Sequence, residues 1–257
     1  MSGSQVLDPS EINRIAERCR EATSVLFITG AGSSAESGLP TYRGVGGLYD
    51  RGETDEGLPI EELLSGEMLA TNPAVCWKYI HQIESACRGA GPSRAHEIVA
   101  AFEEKIPRTW VLTQNVDGFH VRAGSTKVIE IHGNVGKIAC MECTYRTRVS
   151  SYVGLGDVPS CPRCHSVLRP EVVLFGEMLP APAIAALERE LHHGFDVVMS
   201  IGTTSSFPYI RAPVMVGRRH GALTVEINPE ATEVSDHVHH RLRARAGEAL
   251  SAIWRRM

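Results

Sequence analysis

Two cysteine pairs restrict most how this chain can fold. CMEC at 140–143 and CPRC at 161–164 are separated by the seventeen residues 144–160. Two Cys-x-x-Cys turns at that distance are the spacing of a four-thiolate zinc ribbon, in which one tetrahedral ion closes the loop between them. A redox pair of the thioredoxin type needs only one such turn, after a strand and before a helix. Cys140, Cys143, Cys161 and Cys164 are therefore the expected ligands of one structural Zn2+. Four thiolates leave no coordination position for water, so the metal holds the segment together and performs no chemistry. Cys19, Cys76 and Cys87 fall on predicted helices and read as small buried side chains. Seven cysteines with this grouping fit a reducing compartment better than a disulfide framework, and the cytoplasm is the expected location.

The ribbon interrupts a different kind of sequence. Short apolar runs recur at 24–28, 109–112, 127–131, 197–201 and 223–227, and helical periodicity separates them. Runs of that length between helices predict a parallel sheet covered on both faces, an α/β fold of the Rossmann-like type. Helices are expected at 11–22, with Ser10 as the cap, and at 60–69, 74–86 and 95–104. The segment 132–169 carries turns and few large apolar groups, and 44–57 reads as a glycine-rich charged loop. No apolar run approaches the roughly 20 residues that span a membrane. The N-terminus is polar and amphipathic, unlike a secretory signal. A formal net charge of −4 argues against a duplex-binding surface. Hydrophobic and charged contents of 43% and 22% are those of an ordinary globular enzyme.

Polar clusters follow the apolar runs, at the sheet edge where open α/β folds bind ligands. The first run leads into GAGSSAESGLPTYRG. It lacks the Gly-Lys-Ser/Thr of a P-loop, and Gly38 comes too late for the usual GxGxxG spacing. TQNVDGFH follows the second run, His132-Gly133 the third, GTTSSFPY the fourth and Asn228-Pro229 the fifth. Any one of these is explained by turn propensity. Five on one edge describe a crevice for a ligand with many polar groups.

In order and spacing, GAGSSAESGLPTYRG, TQNVDGFH, IHG, the two Cys-x-x-Cys turns, VVLFGE, IGTTSS and EINP resemble the sirtuin family. The resemblance implies an NAD-dependent protein-lysine deacylase of the minimal, bacterial type, with a Rossmann-like large domain and a small zinc-containing domain. It implies a large domain from 1–43, 107–135 and 170–257, a cofactor loop and helical insert at 44–106, and a zinc module at 136–169. NAD would be held by Gly30, Ala31, Gly32, Ser33 and Glu36, and by Thr41, Tyr42 and Arg43 of a closing loop. Gln114, Asn115, Asp117, Gly202, Thr203, Thr204, Ser205, Asn228, Pro229 and Ala246 complete that set. Asn115 and Asp117 match the pair beside the nicotinamide amide and ribose. His132 matches the general base that helps a ribose hydroxyl take over the acyl group, a role suited to a side chain whose pKa lies near working pH.

Substrate proteins or peptides carrying acyl-lysine are the implied partners, with no direct nucleic-acid or membrane contact. Val173, Leu174, Phe175 and Gly176, with the stretch 206–209, match the two strands that sandwich the peptide, and Phe175 is expected to line the acyl tunnel. At 205–209 the chain departs from the commonest family pattern. Members that remove succinyl or malonyl groups carry Tyr-x-x-Arg on the helix after the cofactor loop. Counting from Asn72-Pro73, those positions hold Ile80 and Ile83, so neutral acyl groups are expected, unless Lys78 or His81 intrudes through a shift of one residue. An ADP-ribosyltransferase or NAD hydrolase on the same scaffold would tolerate loss of the histidine, and a non-catalytic sensor would be expected to lose Asn115, Asp117 or His132. All three are present. The pairs His192-His193 and His239-His240 are expected on solvated surface.

Overall fold

The computed structural model describes residues 7–39 and 54–257. Nine strands form among them: β1 Ser24–Thr29, β2 Arg108–Thr113, β3 Val128–Glu130, β4 Gly133–Cys140, β5 Arg146–Arg148, β6 Leu168–Val172, β7 Val197–Ile201, β8 Leu223–Ile227 and β9 His240–Leu242. Six make one parallel sheet in the order β3-β2-β1-β7-β8-β9. All five apolar runs read from the sequence are strands of this sheet. The sixth, β9, has three residues at an edge, too few to leave a periodic signal.

Every residue of β1 and β7 is buried, which requires cover on both faces. Val25 and Phe27 point to one side, into a cluster with Ile12 and Ile15 of α1 (Pro9–Glu21) and Phe102 of a later helix. Leu26 and Ile28 point to the other, as the two-residue period of a strand dictates. Helix α1 begins two residues earlier than Ser10 suggested. The Asp8 carboxylate is the cap and accepts from the Ser10 amide at 2.9 Å, with Pro9 in the first turn. The short helix α2 (Ala31–Ser34) follows β1.

The stretch expected as one helix over 60–69 is two, α3 (Ile60–Leu63) and α4 (Gly66–Thr71). Ser65 separates them because its hydroxyl accepts from the Met68 amide and caps α4, while its backbone bridges to Phe175. Helix α5 (Pro73–Cys87) follows, then α6 (Arg94–Lys105). Helix α6 packs on the large sheet through Ala95, Ile98, Val99 and Phe102. A one-turn helix, α7 (Phe119–Arg122), follows β2; α8 (Ala181–His193) and α9 (Pro208–Arg219) cover the second face, and α10 (Ala246–Trp254) closes the first.

Strands β5, β4 and β6 make a second, antiparallel sheet. It shares a core with α3, α4 and α5, in which Leu63, Trp77, Ile80 and Ile83 meet Ile138, Tyr152 and Leu168. The segment around the cysteines is thus less poor in large apolar groups than its sequence suggested. Trp77 donates to the Leu168 carbonyl at 2.9 Å and Tyr152 to that of Val135 at 2.6 Å, so both polar handles are satisfied inside this core.

Candidate active site

The carboxyl ends of β1, β2, β7 and β8 meet the turn Gly30-Ala31-Gly32. That turn is pressed against the loop after β7. A Cβ on Gly30 would lie 2.7 Å from the Thr203 Cβ, and one on Gly32 would lie 2.6 Å from the Gly202 Cα. The Gly32 amide donates to the Gly202 carbonyl at 2.9 Å. Both glycines are therefore demanded by protein packing, before any ligand approaches. Gly38, too late for a phosphate fingerprint, has φ +82° and ends a 3-10 turn as a left-handed cap.

Behind the turn lies a hydrogen-bonded network. Asn115 Nδ2 donates to the Gly30 carbonyl, to Ser33 Oγ and to Ser34 Oγ at 3.0–3.1 Å. Ser34 donates to one Asp117 oxygen at 2.7 Å, and the Phe119 amide to the other at 2.9 Å. Burial raises the Asp117 pKa, against the lowering effect of the bonds from Phe119 and Ser34. Gln114 Nε2 reaches Thr203 Oγ1 at 2.8 Å, and Asn228 donates to the Thr203 carbonyl at 3.1 Å. Ser34 is the hub that sequence reasoning passed over, although it sits beside Ser33 in the same motif.

His132 stands where β3 gives way to β4, and Gly133 at φ +83° makes the turn that follows it. Its Nδ1 lies 3.1 Å from the Gln114 carbonyl, so Nδ1 carries the hydrogen and Nε2 presents its lone pair. Burial lowers the His132 pKa, while the bond to Gln114 works the other way. Nε2 lies 2.7 Å from the Tyr209 hydroxyl. A neutral imidazole with one nitrogen fixed and the other lone pair directed is the form a general base needs.

The rest of the expected NAD set divides. Thr203 is buried within the crevice, whereas Thr204 and Pro229 are exposed and Ala246 is buried. Ser205 has φ +55°, is fully buried and turns inward to Ser200 at 3.3 Å. Glu36 points to the C-terminal helix, where both carboxylate oxygens accept from the Gly247 amide at 3.0–3.2 Å. Its position is that of a helix cap. Thr41, Tyr42 and Arg43 lie outside the described residues.

The stretch 206–209 is not an extended strand. Pro208 and Tyr209 open α9, for which proline at the first position is suited. Segment 173–175 is extended and partly paired already: Val173 donates to the His132 carbonyl, and Phe175 exchanges bonds with Leu64 and Gly66. Leu174 is buried and Phe175 is 40% exposed, with Gly176 turning at φ +79°. Ile80 and Ile83 sit in the small core. Lys78 is bound to Asp55 and Glu56, and His81 to the Gly156 carbonyl. Of the histidine pairs, His192 and His193 are exposed, but His240 bonds Glu11 at 3.0 Å and His239 bonds Thr224 at 2.8 Å.

The Sγ atoms of Cys140, Cys143, Cys161 and Cys164 all lie within 4.8 Å of one another. Closest approaches are 3.4 Å for Cys140–Cys164 and 3.6 Å for Cys143–Cys161. Four sulfurs held by one Zn2+ at about 2.3 Å fit such a spacing. Amides of Glu142 and Cys143 donate to Cys140 Sγ, and that of Arg163 to Cys161 Sγ, each at 3.4 Å. Such bonds stabilise thiolates and orient them. For Cys140, burial opposes and the two amides favour ionisation, with a net pKa of about 6.

A Rossmann-like sheet, a four-thiolate ribbon and a histidine between them at the sheet's carboxyl edge define an enzyme of the nucleotide-using deacylase class. The chain belongs to the Sir2 family, whose sequence model matches residues 30–207. It is 49% identical to NAD-dependent protein deacylase 2 of Pseudomonas aeruginosa, over 95% of this chain and 96% of that one. It is 36% identical to an NAD-dependent protein deacylase of Aquifex aeolicus, over 91% and 95%. Similar solved structures include a Sir2 homologue mutant bound to ADP-ribose (TM-score 0.86, 34% identity, 95% of each chain covered). Another is a Sir2 homologue–NAD complex (TM-score 0.85, 32% identity, 99% of this chain and 95% of that one).

Proposed function

We propose that this protein removes neutral acyl groups from lysine side chains of proteins or peptides and consumes NAD in doing so. The observation that carries the reading is His132, whose Nδ1 is fixed on the carbonyl of Gln114, the residue before Asn115 of the Asn115–Ser34–Asp117 network, and whose Nε2 keeps its lone pair for a proton. NAD bound in the crevice supplies an electrophilic ribose on losing nicotinamide, and a ribose hydroxyl that receives the acyl group. Asn115 and Asp117 orient its nicotinamide end, and His132 takes the proton of the receiving hydroxyl. Gly30, Ala31, Ser33, Gln114, Thr203 and Asn228 are the proposed NAD contacts along the turn and the strand ends. Glu36 and Ser205 serve that site indirectly, one by capping a helix and the other by fixing its loop.

The peptide lies along 173–176. Its selectivity rests on main-chain bonds and is loose. An apolar wall that includes Ile80 and Ile83 favours acetyl or longer apolar chains over succinyl, because a carboxylate buried without a cation is destabilised. Peptide and NAD recognition of this kind has a parallel in a Sir2 structure described as bound to a p53 peptide and NAD+, 28% identical. Zn2+ in the ribbon is structural. The cytoplasm is the proposed compartment, supported by seven cysteines that form no disulfide; no helix among the described residues is long and apolar enough to cross a membrane.

The test is an acetyl-lysine peptide incubated with the protein in the presence and absence of NAD. Free lysine should form only with NAD. Equal hydrolysis in its absence would sink the proposal.

A further inference from the structure

Tyr209 has no part in the expected catalytic or NAD-binding set, and the family resemblance put it on a peptide-binding strand. In the fold it is the second residue of α9, and its hydroxyl is 2.7 Å from His132 Nε2, the one nitrogen left to act as a base. Among the described residues, Tyr209 is the one hydrogen-bond partner of that nitrogen. The tyrosine ring is stacked on Phe207, with centroids 5.3 Å apart and planes 15° from parallel, and both rings meet the imidazole edge-on. The phenol is thus aimed and braced, and half-buried. Any proton that reaches Nε2 in this arrangement must displace the hydroxyl or pass through it.

We propose that Tyr209 is a proton relay between the attacking hydroxyl of the substrate and His132. This rests on the deacylase reading of the site. The Tyr209 oxygen accepts the proton of the attacking hydroxyl as that oxygen's electron pair forms its new bond to the acyl carbon. In the same movement the phenol proton passes to His132 Nε2. Tyr209 ends neutral and His132 ends as imidazolium, with the Gln114 carbonyl accepting from Nδ1. A hydroxyl suits this task because it donates and accepts at one atom. It also supports both states of the ring, donating to the neutral nitrogen and accepting from the charged one. The second bond is charge-assisted and the stronger of the two. Burial pushes the phenol pKa up to about 12, so the proton to be passed is in place at neutral pH.

Tyr209→Phe keeps the stacked ring and removes the relay atom. Four measurements on it are decisive. Deacylation of an acetyl-lysine peptide at saturating NAD should fall at least about tenfold, part of the loss typical for a general base. Exchange of labelled nicotinamide into NAD precedes the step that uses His132 and should fall far less. The double variant His132→Ala/Tyr209→Phe should be no slower than His132→Ala, as for groups acting as a unit. In the free protein, the His132 ring should titrate at lower pH in Tyr209→Phe by NMR, since its charged form has lost an acceptor. Deacylation at the unsubstituted rate, equal loss of exchange and deacylation, or an unmoved His132 titration would each overturn the relay. If the unsubstituted protein makes no free lysine from NAD and the peptide, the deacylase reading itself falls, and the relay with it.

Discussion

Gly32→Ala separates two explanations of a glycine turn. If the glycines serve only to let a nucleotide approach, the variant should fold as well as the parent and lose NAD affinity. The structure gives a different expectation. The new Cβ would lie 2.6 Å from the Gly202 Cα and 3.0–3.1 Å from the Gly202 carbonyl. All of those atoms are backbone, at the end of a fully buried strand, so no flexible side chain can swing aside. The Gly32–Gly202 hydrogen bond at 2.9 Å would be stretched by the same displacement. Overpacking typically destabilises by about 1–3 kcal/mol. A backbone-on-backbone clash belongs at the upper end, roughly 3 kcal/mol, or about 6–12 °C in Tm at roughly 2–4 °C per kcal/mol for a chain of this size. The assay is thermal unfolding without NAD, with Gly91→Ala as the control, since nothing lies within 4 Å of a Cβ there. A Gly32→Ala melting temperature within about 1 °C of the parent would refute the packing argument.

His132→Ala should lose about 10²–10⁴-fold in deacylation while NAD still binds by calorimetry; turnover near the parent rate would end the assignment of the base. The acidic limb of kcat/KM in the unsubstituted enzyme should fall below pH 6.5, because burial lowers the His132 pKa from that value; a limb above it would contradict the site described. His96 is wholly buried and its pKa is lowered by burial from 6.5 to about 4. The unfolded chain therefore takes up the proton first, and stability is full above about pH 6.5 and lost by about 3 kcal/mol as pH falls towards 4. Urea titrations at several pH values should give a flatter slope across that window for His96→Asn, and an unchanged slope would exclude His96 as the cause. Cys161→Ala should release zinc and lower the melting temperature, measured together with metal content, whereas retention of both would deny the ribbon its structural role. On one peptide, succinyl-lysine should be about 10²–10⁴-fold poorer than acetyl-lysine in kcat/KM, from a buried-charge penalty of about 3–5 kcal/mol; efficient desuccinylation would contradict the proposed apolar acyl pocket at Ile80 and Ile83.

What the sequence made legible was whatever repeats at short range. The five apolar runs became strands because a strand buried on both faces needs only a short unbroken apolar stretch, and 24–28 or 197–201 supply it. The four thiolates were legible because metal geometry fixes their spacing. Contacts made across long distances were hidden. Nothing near Glu36 announces that it caps a helix beginning more than two hundred residues later at Ala246. The break between α3 and α4 was hidden likewise, since Ser65 leaves the helix to meet Phe175. The strand expected at 206–209 came from the family resemblance, whereas locally Pro208 in the first turn makes Tyr209 part of a helix start. Its bond to His132 joins residues 77 apart in the chain, a distance no motif spans.

The most direct test of the account is stoichiometry. Nicotinamide, free lysine and acyl-ADP-ribose are quantified together by liquid chromatography and mass spectrometry in one reaction with limiting acetyl-lysine peptide. A deacylase that passes the acyl group to the ribose through His132 yields the three in equal amounts, and none once the peptide is exhausted. Nicotinamide released without free lysine, or ADP-ribose attached to protein with the acetyl group still on the peptide, would contradict it.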